Sequence, residues 1–189
     1  MKTKVVVYSD YVCPFCFIGK RRVDKLKEEL DVDVEWKGFE LHPETPKEGR
    51  TREHKTVSEF VDRLAKDVNL EFKPRSLSSN SRLSLRAGEF AKSKNKFEEY
   101  HEAIFQAYFQ EAKDIGDINL IKEIVERIGL DTNELDNYLI TDEADKMLER
   151  HKKEAREDRI DAVPTFIIGD KKIIGAQPYS VIKEVVENQ

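Results

Sequence analysis

The chain has 189 residues, enough for one sizeable core or for a small core with a subdomain inserted into it. Charged residues make up 38% against 39% hydrophobic, with a formal charge of -5 and no basic stripe or aromatic-interleaved basic run, which argues against nucleic acid as a partner. No apolar run is long enough to span a bilayer and Val5-Val6-Val7-Tyr8 is too short for the core of a signal peptide, so the expected location is cytoplasmic with no membrane partner.

In chain order, residues 4–8 form a β-branched run ending in Tyr8 and predict a buried strand. From Pro14 to about Leu30, Cys16, Gly19, Val23, Leu26 and Leu30 recur at spacings of three and four, one face of a helix. Val32, Val34 and Trp36 alternate with charged residues and predict a second strand to about Phe39 or Leu41. Strand, helix, strand with a short link is a βαβ unit with parallel pairing.

His42 to Arg50 contains two prolines and a glycine and reads as a loop. Six helices follow. Thr56-Val57-Ser58-Glu59 is a capping box ahead of the stripe Val57, Phe60, Val61, Leu64 and Val68. After a loop over 72–80, Leu83, Ala87, Phe90 and Ala91 mark the next helix. Asn95 is read as the cap of a third, in which Phe97, Tyr100, His101, Ile104, Phe105 and Tyr108 share a face. Asp117 caps a fourth that ends at Gly129, Asp131 opens a short fifth with Leu135 and Leu139, and Thr141 starts a highly charged sixth reaching about Asp158. Val163–Ile168, a Gly169-Asp170 turn and Lys172–Ile174 form a β-hairpin, and a last helix starts near Pro178.

A βαβ half and a ββα half cannot each bury a sheet alone, so both are expected in one mixed sheet, an α/β fold. Residues 1–42 and 159–189 then form one discontinuous domain, and 43–158 a helical insertion subdomain.

Both cysteines lie in Cys13-Pro14-Phe15-Cys16, where the first strand passes into the first helix. Two thiols at this spacing can close into a disulfide and reopen, and a helix N-terminus carries unpaired N–H groups that favour a thiolate. Cys13 is therefore the candidate nucleophile and Cys16, one turn in, the resolving thiol. Pro14 suits the first helical position. A structural zinc site needs four ligands, and there is no second Cys pair, while His42, His54, His101 and His151 are scattered; no metal is expected. Using cysteine only here suits a reducing compartment.

Pro164 is the second signal. A proline in strand-like sequence belongs at an edge or a strand start, and the bond before it is the usual place for a cis peptide. A kink there would leave the main chain of Val163 free to pair with an extended peptide.

Cys13-Pro14-Phe15-Cys16 after a first strand and Val163-Pro164-Thr165-Phe166 near the far end resemble the thioredoxin fold, and the helical insertion resembles its DsbA branch. Ser9-Asp10-Tyr11-Val12-Cys13-Pro14, Phe39-Glu40-Leu41-His42-Pro43, Phe105-Gln106-Ala107-Tyr108-Phe109, Asp114-Ile115 and Gly175-Ala176-Gln177 resemble the cytoplasmic FrnE-like group of that family. The resemblance implies a nucleophilic Cys13, a resolving Cys16, and a cis Pro164 facing them with Val163 before it. Phe15 stands where the periplasmic branch carries histidine, so a less oxidising site is expected.

The expected activity is thiol–disulfide exchange through mixed disulfides with protein or small-molecule substrates. It needs no metal, nucleotide or flavin, and glutathione is a candidate co-substrate. Two other classes stay open: a glutathione-dependent isomerase or transferase of the same topology, whose members carry serine where this chain has Cys13, and a non-enzymatic peptide-binding chaperone. Tyr11, Pro14, Phe15 and Val163 are the candidate substrate contacts, although an aromatic stripe is more often plain core. Glu40 is a candidate for proton transfer, weighed against a half-exposed strand-end residue, and His101 reads as a core histidine. The sequence leaves the oligomeric state open.

Overall fold

A computed structural model describes residues 2–53 and 57–189. The opening βαβ unit comprises β1 (Thr3–Ser9), α1 (Pro14–Glu29) and β2 (Val32–Gly38). The closing ββα unit comprises β5 (Thr165–Ile168), β6 (Lys171–Ile174) and α8 (Tyr179–Glu187). They share one four-stranded sheet in the order β2-β1-β5-β6, with β1 parallel to β2, antiparallel to β5, and β5 antiparallel to β6. Tyr8 pairs with Lys37 on one side and Thr165 on the other, so the end of β1 sits between both halves of the chain.

The sheet is buried on both faces, which explains the unbroken apolar run of β1. Val5 and Val7 meet Phe166 and Ile168 of β5, Val23 and Leu26 of α1, and Ile182 and Val186 of α8. On the other face Tyr8 joins a larger core with Phe17 and the insertion's Phe90, Tyr100, Phe105 and Phe109.

Between β2 and β5 the chain forms α2 (Glu59–Lys66), α3 (Arg82–Ser93), α4 (Phe97–Phe109), α5 (Ile118–Arg127), α6 (Thr132–Leu139) and α7 (Glu143–Glu157). A two-stranded ribbon, β3 (Arg50–Thr51) with β4 (Leu77–Ser78), brackets α2. At two residues per strand it is too short to show alternation, so both segments read as loop.

Caps correct several expected boundaries. The Ser58 hydroxyl accepts from the Val61 N–H and starts α2, while Thr56 lies outside the described residues. Asn95 has φ 55 and belongs to the turn closing α3, so Lys96 is the N-cap of α4. Thr141 precedes α7, whose N-cap is Asp142. Strand β2 stops at Gly38 because the next residues bind the β1–α1 connection: the Phe39 N–H donates to the Ser9 carbonyl at 2.9 Å, and the Leu41 N–H to Asp10 Oδ2 at 2.7 Å. Phe60, expected inside the α2 stripe, is 54% exposed and its ring centroid lies 6.2 Å from that of Phe15.

Insertion and sheet are held together by charge as well as by core. Buried Lys20 on α1 pairs with Glu102 on α4 at 2.8 Å and with Asp24 at 2.7 Å. Arg21 grips the same Glu102 carboxylate with two N–H groups, at 2.6 and 3.0 Å.

Candidate active site

Cys13 is the N-cap of α1, and Pro14 occupies the first turn, where a missing N–H costs the helix nothing. Both cysteines are free thiols, Cys16 is fully buried, and Cys13 is 3% exposed. The Cys13 Sγ donates to the main-chain carbonyl of Val163 at 3.4 Å. The Val163–Pro164 bond is cis, and both residues are buried beside the thiols. Gly19, one turn beyond Cys16, lets Pro164 and Phe166 pack onto α1.

Cys16 is held from behind. The Asp10 N–H donates to its sulfur at 3.4 Å. Burial pushes its thiol well above the ordinary value and neighbouring Cys13 adds to the rise, while the Asp10 N–H and the Ser9 hydroxyl pull the other way. These two groups favour the charged form of the sulfur that must act second.

Sequence reasoning passed over the role of Asp10. Its carboxylate is buried at the end of β1 and accepts from the N–H groups of Leu41 at 2.7 Å and Val12 at 3.4 Å. Burial raises its pKa to about 6, against the opposing hydrogen bonds from Leu41, Ser81 and Val12. The signal was present: an acid three residues before a helix cap, followed by no nearby basic partner in sequence. It clamps the β1–α1 connection to the segment after β2 and so fixes the N–H that faces Cys16.

Glu40, the expected proton carrier, is placed elsewhere. It lies past the end of β2, where Arg82 binds its carboxylate at 2.6 Å. It lines a separate cavity of about 230 Å³ with Leu148 and Arg156, and neither cysteine reaches that cavity. Tyr11 also departs from expectation. Its side chain turns into the core, with its ring edge-on to Phe105 at 5.1 Å and its hydroxyl 3.1 Å from His101 Nδ1. The rings of Tyr100, His101 and Phe105 pack against it and leave it 3% exposed, away from the cysteine cleft. His101 is a core residue: burial and nearby Lys20 and Lys92 hold its pKa well below the ordinary value.

Cys13 lines a cleft of about 480 Å³. Cys13, Pro14, Phe15 and Val163 line one side; Val57, Val61 and Phe72 of the insertion line the other. Arg52 and Arg75 line the same cleft, together with His42, Ser58 and Asp161, and no sequence signal marked either arginine. Arg75 sits in the stretch 72–80 that reads as loop, and Arg52 lies between the loop ending at Arg50 and the capping box of α2.

A buried dithiol at a helix N-cap, facing the peptide before a proline across a mixed sheet with a helical insertion, defines a thioredoxin-fold thiol–disulfide oxidoreductase of the DsbA type. The chain belongs to the DSBA-like thioredoxin domain family, which it matches over residues 4–187. It is 35% identical to the uncharacterized protein YwbO of Bacillus subtilis (strain 168), over all of this chain and 98% of that protein. A probable DsbA oxidoreductase from Streptomyces coelicolor has the same fold, with a TM-score of 0.85, 22% identity, and coverage of 98% of this chain and 89% of that one. A 2-hydroxychromene-2-carboxylate isomerase superposes with a TM-score of 0.82 at 17% identity, covering 98% of this chain and 95% of the other. Both likenesses are of fold.

Proposed function

We propose that the Cys13/Cys16 pair cycles between dithiol and disulfide through mixed disulfides with its substrates. The single observation that carries this reading is the position of the Cys13 sulfur at the α1 N-cap, 3.4 Å from the Val163 carbonyl with Cys16 behind it. In the reductive direction the Cys13 thiolate attacks one sulfur of a substrate disulfide, forming a Cys13–substrate bond and expelling the other sulfur as thiolate. Cys16, losing its proton, then attacks the Cys13 sulfur. The second substrate thiolate leaves, the substrate has gained two electrons, and the enzyme holds a Cys13–Cys16 disulfide. A dithiol or two monothiols must return those electrons; the oxidative direction is the same sequence reversed.

Pro14 and Phe15 at the mouth and Val163 opposite them are the residues that would meet the substrate sulfur. Within the family we place the chain in the FrnE-like group and in the cytoplasm, on its sequence motifs and its use of cysteine only at this pair. Among the described residues no helix is long and apolar enough to cross a membrane. The cycle calls for no metal, nucleotide or flavin.

The test is a pair of single substitutions. Cys13→Ser should abolish both disulfide reduction and dithiol oxidation, and Cys16→Ser should accumulate a mixed disulfide detectable by mass spectrometry. Full activity in Cys13→Ser would overturn the reading.

A further inference from the structure

The cleft beside Cys13 contains a cation that the exchange chemistry leaves unused. Arg75 is 8% exposed and lines the cleft. Its guanidinium lies over the rings of Tyr108 and Phe109, 4.4 and 4.5 Å from their centroids. Its Nε and Nη1 are buried without a hydrogen-bond partner. A second guanidinium, Arg52, lines the same wall, and the one acid among the described lining residues, Asp161, makes no ion pair with Arg75.

Such an arrangement is costly as pure scaffolding. A buried donor left unmet is destabilising, and an apolar residue would cover the two rings without that penalty. Burial and the like charge of Arg52 together pull the Arg75 guanidinium below its ordinary pKa, with only Tyr108 acting the other way. An anion bound at Arg75 would meet its unpaired donors and stabilise its charge.

We propose that the cleft binds small thiols and disulfides carrying a carboxylate, with Arg75 holding the carboxylate while the sulfur meets Cys13. This rests on the exchange cycle above and names its substrate class. The planar fork of arginine matches a carboxylate's two oxygens, whereas a lysine would offer only a point charge. The volume of about 480 Å³ lies in the roughly 300–1,000 Å³ range of small-molecule pockets. The apolar wall of Val57, Val61 and Phe72 would cover the carbon chain between the two ends.

The test compares three small disulfides differing in charge: 3,3'-dithiodipropionate, neutral 2-hydroxyethyl disulfide, and cationic cystamine. In the unsubstituted protein kcat/KM should rank them in that order, with the dicarboxylate ahead of the neutral compound by roughly tenfold or more, the size expected for hydrogen bonds to a charged group. In Arg75→Gln that ratio should collapse toward one, and Arg75→Lys should recover it only in part. Equal turnover of all three by the unsubstituted protein, or a ratio unchanged in Arg75→Gln, would overturn the anion site and leave the exchange cycle standing. Turnover of none would overturn the exchange cycle. The anion site is then decided by calorimetric titration with suberate, which has the dicarboxylate's length and no sulfur: saturable binding lost in Arg75→Gln supports the site, and no binding overturns it. If Arg75→Gln fails to fold, the suberate titration and substrate ranking of the unsubstituted protein decide alone.

Discussion

Gly19 lies against Pro164: a Cβ built on Gly19 would stand 3.2 Å from the Cγ of Pro164 and 3.2 Å from the ring edge of Phe166. The helix that carries both thiols therefore touches the opposite wall of the site through a residue with no side chain. Glycine inside a helix costs about 1 kcal/mol relative to alanine, so its position here reflects packing against Pro164 and not helix preference.

Two substitutions separate those effects. Gly19→Ala gains about 1 kcal/mol of helix propensity and spends much of it on a tight contact, so its stability should be close to that of the unsubstituted protein. Gly19→Leu cannot fit and should lose about 1–3 kcal/mol in chemical denaturation, with a fall in exchange rate as Val163 and Pro164 move away from Cys13. Full stability and activity in Gly19→Leu would show that the contact is not limiting.

Asp10 should make the protein less stable as pH rises. Its folded pKa of about 6 lies above the ordinary 3.8, so in that interval the folded state holds a proton that the unfolded state has released. The stability it lends below the lower value is lost by the time pH passes the upper one, about 3 kcal/mol in all. Asp10→Asn has no such proton. The stability difference between variant and unsubstituted protein, measured by urea unfolding at both ends of the interval, should move in the variant's favour by about that amount as pH rises.

His151 has the opposite sign over nearly the same range. Its Nδ1 accepts from the Gly38 N–H at 3.2 Å, which requires the neutral ring. Burial, with Lys92 nearby, lowers its pKa to about 4 from 6.5. The stability it supplies is whole above the upper value and is lost as pH falls through the lower one, on the order of 3 kcal/mol. His151→Gln keeps an acceptor without the charge, and should remove that part of the acid loss. An unchanged acid limb in the variant's pH–stability profile would count against the assignment.

Glu102 ties α4 to α1 through buried Lys20 and through both N–H groups of Arg21. Those two cations hold its pKa below the ordinary carboxylate value, overcoming the burial that acts against them. Glu102→Gln leaves Lys20 with Asp24 alone and should cost about 1–3 kcal/mol at neutral pH. The loss should shrink under acid conditions, where the native carboxylate is protonated too. Thermal unfolding at neutral and acid pH measures both.

Local sequence determined a good deal. The β-branched run, the alternation in β2 and the three–four spacing of α1 fix a βαβ unit because strand and helix periods are properties of short windows. The same holds for Cys13 and Cys16, whose spacing and place at a helix start are visible without any contact map. Asp117 and Asp131 are also legible as caps, since a cap acts within its own turn.

Tertiary structure decided what depends on residues far apart. Glu40 and Tyr11 were reasonable site candidates by position, yet Arg82 binds one and the α4 rings enclose the other. Arg75 carried no pattern of its own, and the place of Asp10 before a helix cap did not say what it would bind; only the packing of the segment after β2 and of α4 made one a buried clamp and left the other with two unpaired donors. The Cys13–Val163 contact spans 150 residues and arises from β1 pairing with β5, a long-range register that no local window contains.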